Sequence, residues 1–170
     1  MQVKDSELER YIDMYRKSVL GTALCYVRNM SDAEDILQEA FIKLYTYKGS
    51  FDSDVHVKAW LLRCTINLCK SLMRSYWYRF SEPLEAAETQ VCSDTPNDGS
   101  VTEALGKLNS KTRVVLYMYY YEGYTADEIA KITHSTVNSV MLRLSRGRRQ
   151  LKDLLTDERN DNDDRLQRNI

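Results

Sequence analysis

The sequence predicts an all-α protein of two small helical domains joined by a flexible acidic linker, with the C-terminal domain a helix-turn-helix. Three observations predict this fold class. Apolar residues recur at spacings of three and four through most of the chain. Residues 81–100 interrupt that pattern with both prolines, five acids and no Lys or Arg. Residues 124–152 contain two short amphipathic segments separated by a polar turn.

Composition limits the size and the partners of the protein. The chain has 170 residues, 43% of them hydrophobic, which suffices for one ordinary domain or two small ones. The net charge of −1 excludes a generic polyanion binder. Charge is nevertheless uneven, at about +2, −5, +4 and −2 for residues 1–80, 81–100, 101–155 and 156–170. Local basic surfaces on a neutral chain favour targeted nucleic-acid contact.

No signal peptide precedes the first helical pattern, and no apolar run approaches the roughly 18 residues of a membrane span. We therefore expect a cytoplasmic protein without membrane insertion. The four cysteines and the two histidines show no zinc-like spacing. Cys64 and Cys69 fall in an apolar helical pattern, so buried thiols are expected, with no metal and no cofactor.

The first domain opens with a predicted helix at residues 6–29. Ser31 and Glu34 have the spacing of a capping box, which predicts that a second helix covers Ser31–Tyr47. One side of this helix is apolar and the other is polar. A polar helix face is most often a solvated surface.

The next segment, 49–57, is rich in turn residues and is predicted to be a loop. A helix then follows from Lys58 to about Tyr78. Its polar residues Arg63, Asn67, Lys70 and Arg74 lie four, three and four positions apart, and no acid occurs between Asp54 and Glu82. This spacing predicts a basic face. The flanking aromatic residues could stack on exposed bases or simply close the core; they are Trp60, Tyr76, Trp77 and Tyr78.

The C-terminal domain is predicted to begin with helices at Thr102–Leu108 and Lys111–Tyr121, the second ending at Gly123. Val114, Val115, Met118 and Tyr121 are expected to face inward. The tail after Leu155 is charged and is expected to be frayed.

The strongest local signal lies between Tyr124 and Lys152. Thr125 and Glu128 form a capping box, and Thr136 is the expected N-cap of a second helix. This second helix has an apolar stripe of Val137, Val140, Leu144 and Leu151 and an offset polar stripe of Ser139, Arg143, Arg146 and Gln150. No acid occurs between Glu128 and Asp153. The pattern indicates a helix-turn-helix that binds DNA, the alternative being a solvated basic helix packed on a bundle.

Taken together, these motifs resemble a bacterial RNA polymerase sigma factor of the extracytoplasmic-function (ECF, sigma-70 family) type. The run Asp32–Phe41 is similar to the family's polymerase-binding helix. Ala59–Arg63 with Asn67 is similar to its promoter-melting helix. The similarity to its second domain rests on Leu108–Arg113, Tyr119–Thr125 and Glu128–Ala130.

This resemblance implies a non-enzymatic initiation factor that binds the clamp coiled coil and flap of core polymerase, binds promoter DNA, and has an anti-sigma partner. The implied polymerase-binding residues are Asp32, Asp35, Gln38, Glu39 and Lys43. The implied minus-10 residues are Phe51, His56, Lys58, Trp60, Arg63, Asn67, Lys70 and Arg74. The implied minus-35 residues are Thr136, Asn138, Ser139, Met141, Leu142, Arg143, Arg146 and Arg149.

The sequence departs from the family pattern inside the helix-turn-helix. His134 stands at the usual turn glycine, Asn138 and Ser139 at the usual Gly-Thr, and Met141 at the usual Lys. A different class of protein is also compatible with the motif: a stand-alone helix-turn-helix regulator whose N-terminal bundle senses a ligand or dimerises. That alternative leaves the polar face of 31–47 and the basic face of 58–78 without a role.

Overall fold

The computed structural model describes residues 4–79 and 99–168, with side chains described for 4–75 and 101–157. The described residues form seven α-helices and no strand, which confirms the all-α prediction. The helices are α1 Asp5–Val27, α2 Met30–Thr46, α3 Asp54–Arg79, α4 Gly99–Lys107, α5 Ser110–Tyr120, α6 Ala126–Thr133 and α7 Val137–Arg168. Residues 80–98, most of the predicted linker, lie outside the described residues, and Gly99 and Ser100 already belong to α4.

The N-terminal half, α1 to α3, is a three-helix bundle in which each helix packs against the other two. Its own apolar cluster comprises Tyr11, Tyr15, Val19, Leu37, Ala40, Phe41, Leu44, Val57 and Leu61. Asp54 joins α1 to the start of α3, because its carboxylate accepts hydrogen bonds from Arg10 Nη1 at 2.7 Å and from Tyr11 Oη at 3.1 Å. The Arg10 bond, with the Tyr11 bond, lowers the pKa of Asp54.

The predicted capping box at the start of α2 is wrong. The N-cap is Asn29, whose Oδ1 accepts from the Asp32 amide at 2.8 Å, while its Nδ2 donates to the Asp32 carboxylate at 2.8 Å. Asn ranks among the best N-cap residues. With Asn29 in that position, Ser31 and Glu34 lie inside the first turns of the helix and are exposed.

The predicted loop 49–57 is also too long, since α3 begins at Asp54 rather than at Lys58. Ser53 Oγ accepts from the His56 amide at 3.2 Å, as an N-cap side chain does. Val57 is fully buried on the new first turn. Turn-forming residues here start a helix instead of extending a loop.

The C-terminal half, α4 to α7, contains the predicted helix-turn-helix. Asn109 caps α5 by accepting from the Thr112 amide at 2.9 Å, and Gly123, at φ +72°, follows its end. Tyr121, expected inward, is 53% exposed, whereas Val114, Val115 and Met118 are buried as predicted. The predicted frayed tail is wrong for the backbone of residues 156–168, which continue α7.

The two halves pack against each other through α1 on α5 and α3 on α6. One apolar cluster crosses the interface and includes Leu24, Leu62, Leu116 and Ile129. The side chain of Tyr117 on α5 lies against Gly21 of α1, where a Cβ atom would overlap its hydroxyl.

Arg113 is a further contact between the halves, and it lies only 4% exposed. Its guanidinium donates to Cys25 O of α1 at 2.6 Å and to Leu105 O at 2.9 Å. It also donates to the carbonyls of Gly106 and Leu108. Burial lowers the pKa of Arg113 to about 10. Four carbonyl acceptors therefore hold a buried cation at the interface.

Candidate nucleic-acid and polymerase interfaces

The helix-turn-helix is built as its capping residues predict. Thr125 Oγ1 accepts from the Glu128 amide at 3.3 Å, and the Thr125 amide donates to the Glu128 carboxylate at 2.8 Å. The bond from the Thr125 amide, together with one that Thr125 Oγ1 donates to Oε2 at 2.9 Å, lowers the pKa of Glu128. His134 ends α6 in the left-handed region at φ 53°, a conformation in which His is enriched. Thr136 Oγ1 accepts from the Ser139 amide at 3.2 Å and so caps α7.

The second helix of the motif, α7, is buried on one side only. Val140 and Leu144 are 0% and 1% exposed, and Leu151 is half-buried. Val137, predicted in the same apolar stripe, is 37% exposed. Most of the predicted minus-35 residues face solvent. The exposed ones are Thr136, Asn138, Met141, Leu142, Arg146 and Arg149, whereas Ser139 and Arg143 are half-buried.

A polar groove of about 610 Å³ separates the start of α5 from the outer face of α7. Its lining residues are Asn109, Ser110, Lys111, Thr112, Ser139, Leu142, Arg143, Arg146 and Gln150. Ser110 and Lys111 were not among the predicted site residues. No local pattern marks them, because only the packing of α5 on α7 brings them beside Arg143 and Arg146. A groove with three cations and a helix N-terminus suits a phosphate backbone.

The basic face of α3 is present, although its residues differ in exposure. Asn67 and Arg74 are exposed, whereas Arg63 and Lys70 are half-buried. Burial lowers the pKa of Lys70, and the positive charges of Lys111, Arg143 and Arg74 lower it further. The cations of α3 therefore lie near those of the helix-turn-helix.

Two predicted minus-10 residues contact the C-terminal half. Lys58 Nζ lies 2.7 Å from Glu122 Oε2 and 5.4 Å from the centre of the Tyr124 ring. Arg63 Nη2 donates to Lys131 O of α6 at 2.9 Å. These two side chains are thus engaged within the protein.

Aromatic rings gather beside the start of α3. Tyr47 lies 5.0 Å from both Phe51 and Trp60 between ring centres, and Phe51 lies 5.4 Å from His56. Trp60 also lines a cavity of about 320 Å³ with Lys43, Arg63, Cys64, Asn67 and Leu68. Trp60 therefore packs on the core and also faces a cavity, while stacking on an exposed base stays a prediction. Tyr47 was missed by the sequence reasoning, and the side chains of Tyr76, Trp77 and Tyr78 lie outside the described ones.

The outer face of α2 is the third surface. Asp35, Gln38, Glu39 and Lys43 are exposed, and Lys43 Nζ lies 3.5 Å from Glu39 Oε1. Asp32 differs from them, because its carboxylate accepts from the capping Asn29. The sequence reasoning missed Ile42, which is 61% exposed between the charged residues. A single exposed apolar side chain is common on protein surfaces, so the charged residues around Ile42 carry the interpretation of this face.

The three thiols that the structure describes are not arranged as metal ligands. Cys25 and Cys69 are buried and Cys64 is half-buried, and burial raises the pKa of Cys69 to about 12. Across the described parts of the chain, no group of three His, Cys, Asp or Glu residues could hold a metal ion. None of the described helices is long and apolar enough to cross a membrane.

Two family models match the chain. The model of sigma-70 region 2 matches residues 11–79, and that of sigma-70 region 4 matches residues 98–151. The ECF RNA polymerase sigma factor SigW of Bacillus subtilis is 31% identical over 92% of this chain and 94% of its own length. The RNA polymerase sigma-H factor of Pseudomonas aeruginosa is 27% identical over 79% of this chain and 78% of its own.

Solved structures with a similar fold are also sigma factors. The sigma factor RpoE, in complex with the anti-sigma factor NepR from Bartonella quintana, gives a TM-score of 0.71 at 21% identity. That match covers 87% of this chain and 96% of RpoE. CnrH, in complex with the cytosolic domain of CnrY, gives a TM-score of 0.65 at 21% identity over 91% of this chain and 90% of CnrH. With the helix-turn-helix, the basic face of α3 and the near full-length match to SigW, the chain belongs to the ECF sigma factors and directs promoter-specific transcription.

Proposed function

We propose that this sigma factor binds core polymerase through the outer face of α2 and contacts two promoter elements through α3 and α7. The proposed division is a region 2 domain at 1–80, a linker at 81–100, a region 4 domain at 101–155 and a tail at 156–170. One observation carries the proposal: the outer faces of α2, α3 and α7 present polar or charged side chains that packing does not require.

The α2 surface is suited to a basic partner. Gln38 and Glu39 follow Asp35 by about one turn, all three are exposed, and Ile42 is adjacent on the same face. When such a face binds a partner, the apolar side chain becomes buried and the carboxylates around it complement a basic surface. Here that surface is the polymerase clamp coiled coil. We assign Asp32 to capping of α2, with any polymerase contact secondary.

The α7 surface is suited to the major groove at the minus-35 element. Arg143 and Arg146 lie almost one turn apart, and an Arg can bond the O6 and N7 of a guanine together. Met141 and Leu142, 51% and 49% exposed, offer apolar contact to thymine methyl groups. Arg149, farther along the helix, is placed for phosphate contact.

The α3 surface is suited to the minus-10 element. Contacts to the DNA phosphate backbone come from Asn67, Lys70 and Arg74. The aromatic cluster of Phe51, His56 and Trp60 supplies rings on which an unstacked base can stack. The same arrangement supports a role in melting, because a captured base leaves the duplex.

Anti-sigma binding is the remaining proposed interaction. RpoE and CnrH, which share this fold, were both solved in complexes, one with an anti-sigma factor and one with the cytosolic domain of CnrY. A partner of the same kind would keep this sigma factor from polymerase in the cytoplasm.

The test is transcription in vitro from a cognate promoter with core polymerase, read with permanganate footprinting of the melted region. We expect transcripts only when the protein is present, and reduced permanganate reactivity for Asn67→Ala and Lys70→Ala with recruitment retained. A stand-alone regulator would instead bind its operator without polymerase, with a Kd on the order of 10⁻⁸ M or tighter. Such binding, without polymerase-dependent transcription, contradicts the proposal.

A further inference from the structure

Lys111, in the first turn of α5, is an exposed cation to which the proposed function gives no role. It lines the polar groove between the start of α5 and the outer face of α7, together with Arg143 and Arg146. No acidic residue lines this groove. Within the described parts of the chain, no ion pair or hydrogen bond engages the side chains of these three cations. The groove therefore presents positive charge that the protein itself does not neutralise.

The cations of the groove also lie close to one another. Burial lowers the pKa of Lys70 on α3, and the positive charges of Lys111 and Arg143 lower it further. Like charges held near one another repel, so their arrangement costs free energy until an anion binds among them. The groove is therefore suited to an anionic ligand.

The backbone of Lys111 is fixed by contacts on both of its sides. The Thr112 amide donates to Asn109 Oδ1 at 2.9 Å, which caps α5. On α7, Gly147 has no side chain, and a Cβ atom at that position would lie only 2.7 Å from Thr112 Cγ2. The two helices thus approach closely at Thr112, which holds Lys111 beside the exposed face of α7. A ligand that binds here has to order only the lysine side chain.

The neutral residues of the groove point to phosphate as the anion. Ser110, Ser139 and Gln150 line it beside the cations, and hydroxyl and amide groups donate readily to phosphate oxygens. A lysine ammonium binds phosphate as a compact point charge. The proposed function places Arg143 and Arg146 in the major groove, whose two edges are rows of phosphates. A duplex read by α7 therefore brings phosphates alongside the start of α5.

We propose that Lys111 binds a backbone phosphate at the edge of the minus-35 element and thereby fixes the register of α7 in the major groove. This role rests on the proposed function, because it takes α7 as the helix that reads the element. In this arrangement α7 supplies base recognition, and α5 supplies an anchor that is independent of base sequence. Lys111 is a positioning residue, since it acts on base recognition only through the placement of α7.

Three substitutions at Lys111 and one control isolate its charge. Lys111→Ala removes the ammonium, Lys111→Glu reverses the charge, and Lys111→Arg restores a cation. The matched control is Lys107→Ala. Lys107 is exposed in the same half of the protein, does not line the groove, and has its ammonium 3.3 Å from the carboxylate of Glu103.

The first measurement is binding of the holoenzyme to promoter DNA over a range of salt concentrations. Lys111→Ala should weaken binding roughly threefold to tenfold at about 0.1 M salt and lower the slope of log K against log salt by about 0.9. Its base preference across the upstream element should equal that of the wild type, because a phosphate contact carries no sequence information. Lys111→Glu should bind more weakly still, whereas Lys111→Arg and Lys107→Ala should keep the wild-type slope.

The second measurement locates the contact with promoters in which one phosphate at a time is replaced by an uncharged methylphosphonate. The wild-type holoenzyme should bind one such promoter more weakly than the unmodified one. Lys111→Ala should show no further loss at that phosphate, because both changes remove the same contact. Lys107→Ala should show the full loss there.

Three results overturn the proposal: a wild-type salt slope for Lys111→Ala, an altered base preference in that variant, or losses that add to it at every phosphate. Additive losses with a lowered slope would mean that the charge of Lys111 acts at long range without a contact. A wild-type holoenzyme with no preference for any upstream element is a different outcome. It rejects the proposed function, while the slopes of the wild type and Lys111→Ala still decide whether Lys111 binds phosphate.

Discussion

The two DNA-facing helices differ in what covers them. On α7 the outward residues Met141, Leu142, Arg146 and Arg149 are exposed, and none of them contacts the N-terminal half in a described hydrogen bond or ion pair. On α3, Lys58 and Arg63 contact the other half of the protein, through Glu122 and Lys131 O respectively. The surface proposed for the minus-35 element is thus open in this structure, while that proposed for the minus-10 element is partly occupied.

This difference indicates that the charge of a helix face does not by itself determine its availability. Both faces are basic, yet Lys131 O engages Arg63 of the α3 face, and Glu122 engages Lys58 on the first turns of the same helix. The difference also predicts an order of events, in which α7 can contact DNA before α3 does. The predictions below test or refine this contrast, from the largest expected effect to the smallest.

The largest effect is expected at Arg113, which holds both halves in the arrangement that covers α3. Arg113→Ala removes donors from four carbonyls, of Cys25, Leu105, Gly106 and Leu108. Each unsatisfied buried acceptor is costly, so we expect a loss of about 3–5 kcal/mol in the free energy of unfolding. Urea denaturation of the full chain measures it. Lys111→Ala, exposed on the same helix, should change stability by no more than about 0.5 kcal/mol; an equally small effect of Arg113→Ala would mean that the buried guanidinium does not stabilise the fold.

An effect of comparable size, on binding rather than on stability, is expected at the α2 face, which is separate from the two DNA-facing helices. Asp35→Lys or Glu39→Lys should weaken binding to core polymerase by about 2–5 kcal/mol if the carboxylates are desolvated against basic partners. A pull-down with core polymerase, quantified by titration, measures this loss. Glu9→Lys, an exposed reversal on α1, is the charge control. Full retention of both α2 variants would remove α2 from the polymerase-binding surface.

A smaller effect is expected on the open helix α7, where substitutions should distinguish contacts to base edges from contacts to phosphates. Arg143→Ala and Arg146→Ala should each cost about 1–3 kcal/mol and relax base preference at one position of the upstream element. Arg149→Ala should weaken all sequences alike and lower the slope of log K against log salt by about 0.9. Transcription from promoter variants and salt-dependent holoenzyme binding measure these effects. A change in base preference for Arg149→Ala alone would mean that α7 is rotated relative to our assignment.

The sequence predicted most of the helices and the open face of α7, because both depend on local signals. Thr125 and Glu128 are three residues apart, and each satisfies the other's backbone without help from the rest of the fold. The start of α2 was misplaced because Asn29 and Ser31 are both good caps, and their propensities alone do not decide between them. In the structure Asn29 takes this position, because its side chain bonds both the amide and the carboxylate of Asp32 and also donates to Val27 O at the end of α1.

The closed interface was not predictable in the same way. Lys58 and Glu122 are 64 positions apart, and nothing in either segment indicates the other. Arg113 carries a charge and would normally be exposed. It is buried because carbonyls of α1 and of the turn after α4 converge on it. The contrast between α3 and α7 therefore arises from tertiary contacts that periodicity does not encode.

The smallest effect is expected at two carboxylates near the starts of α6 and α3, Glu128 and Asp54, whose contributions to the pH dependence of stability can be compared between the two halves. Backbone and side-chain bonds from Thr125 lower the pKa of Glu128, and the Arg10 bond lowers that of Asp54. A carboxyl group whose pKa is lower in the folded than in the unfolded protein stabilises the fold at pH values above its unfolded pKa, near 4. This contribution is lost as the pH falls through the lower pKa of the folded state. Thr125→Ala should cost about 1 kcal/mol at pH 7 and make Tm less sensitive to pH between about 5 and 3.

Thermal unfolding across that pH range, followed by circular dichroism, measures both effects. Thr156→Ala is the control, since Thr156 is exposed like Thr125 and its hydroxyl donates to Lys152 O within α7. Arg10→Ala should likewise make Tm less sensitive to pH in this range, because it removes the bond that lowers the pKa of Asp54 at the start of α3. If Thr125→Ala keeps the full acid dependence while Arg10→Ala removes it, the N-terminal half alone limits acid stability. The capping box would then fix the orientation of α6 beneath α7 without adding measurably to the pH dependence of the fold.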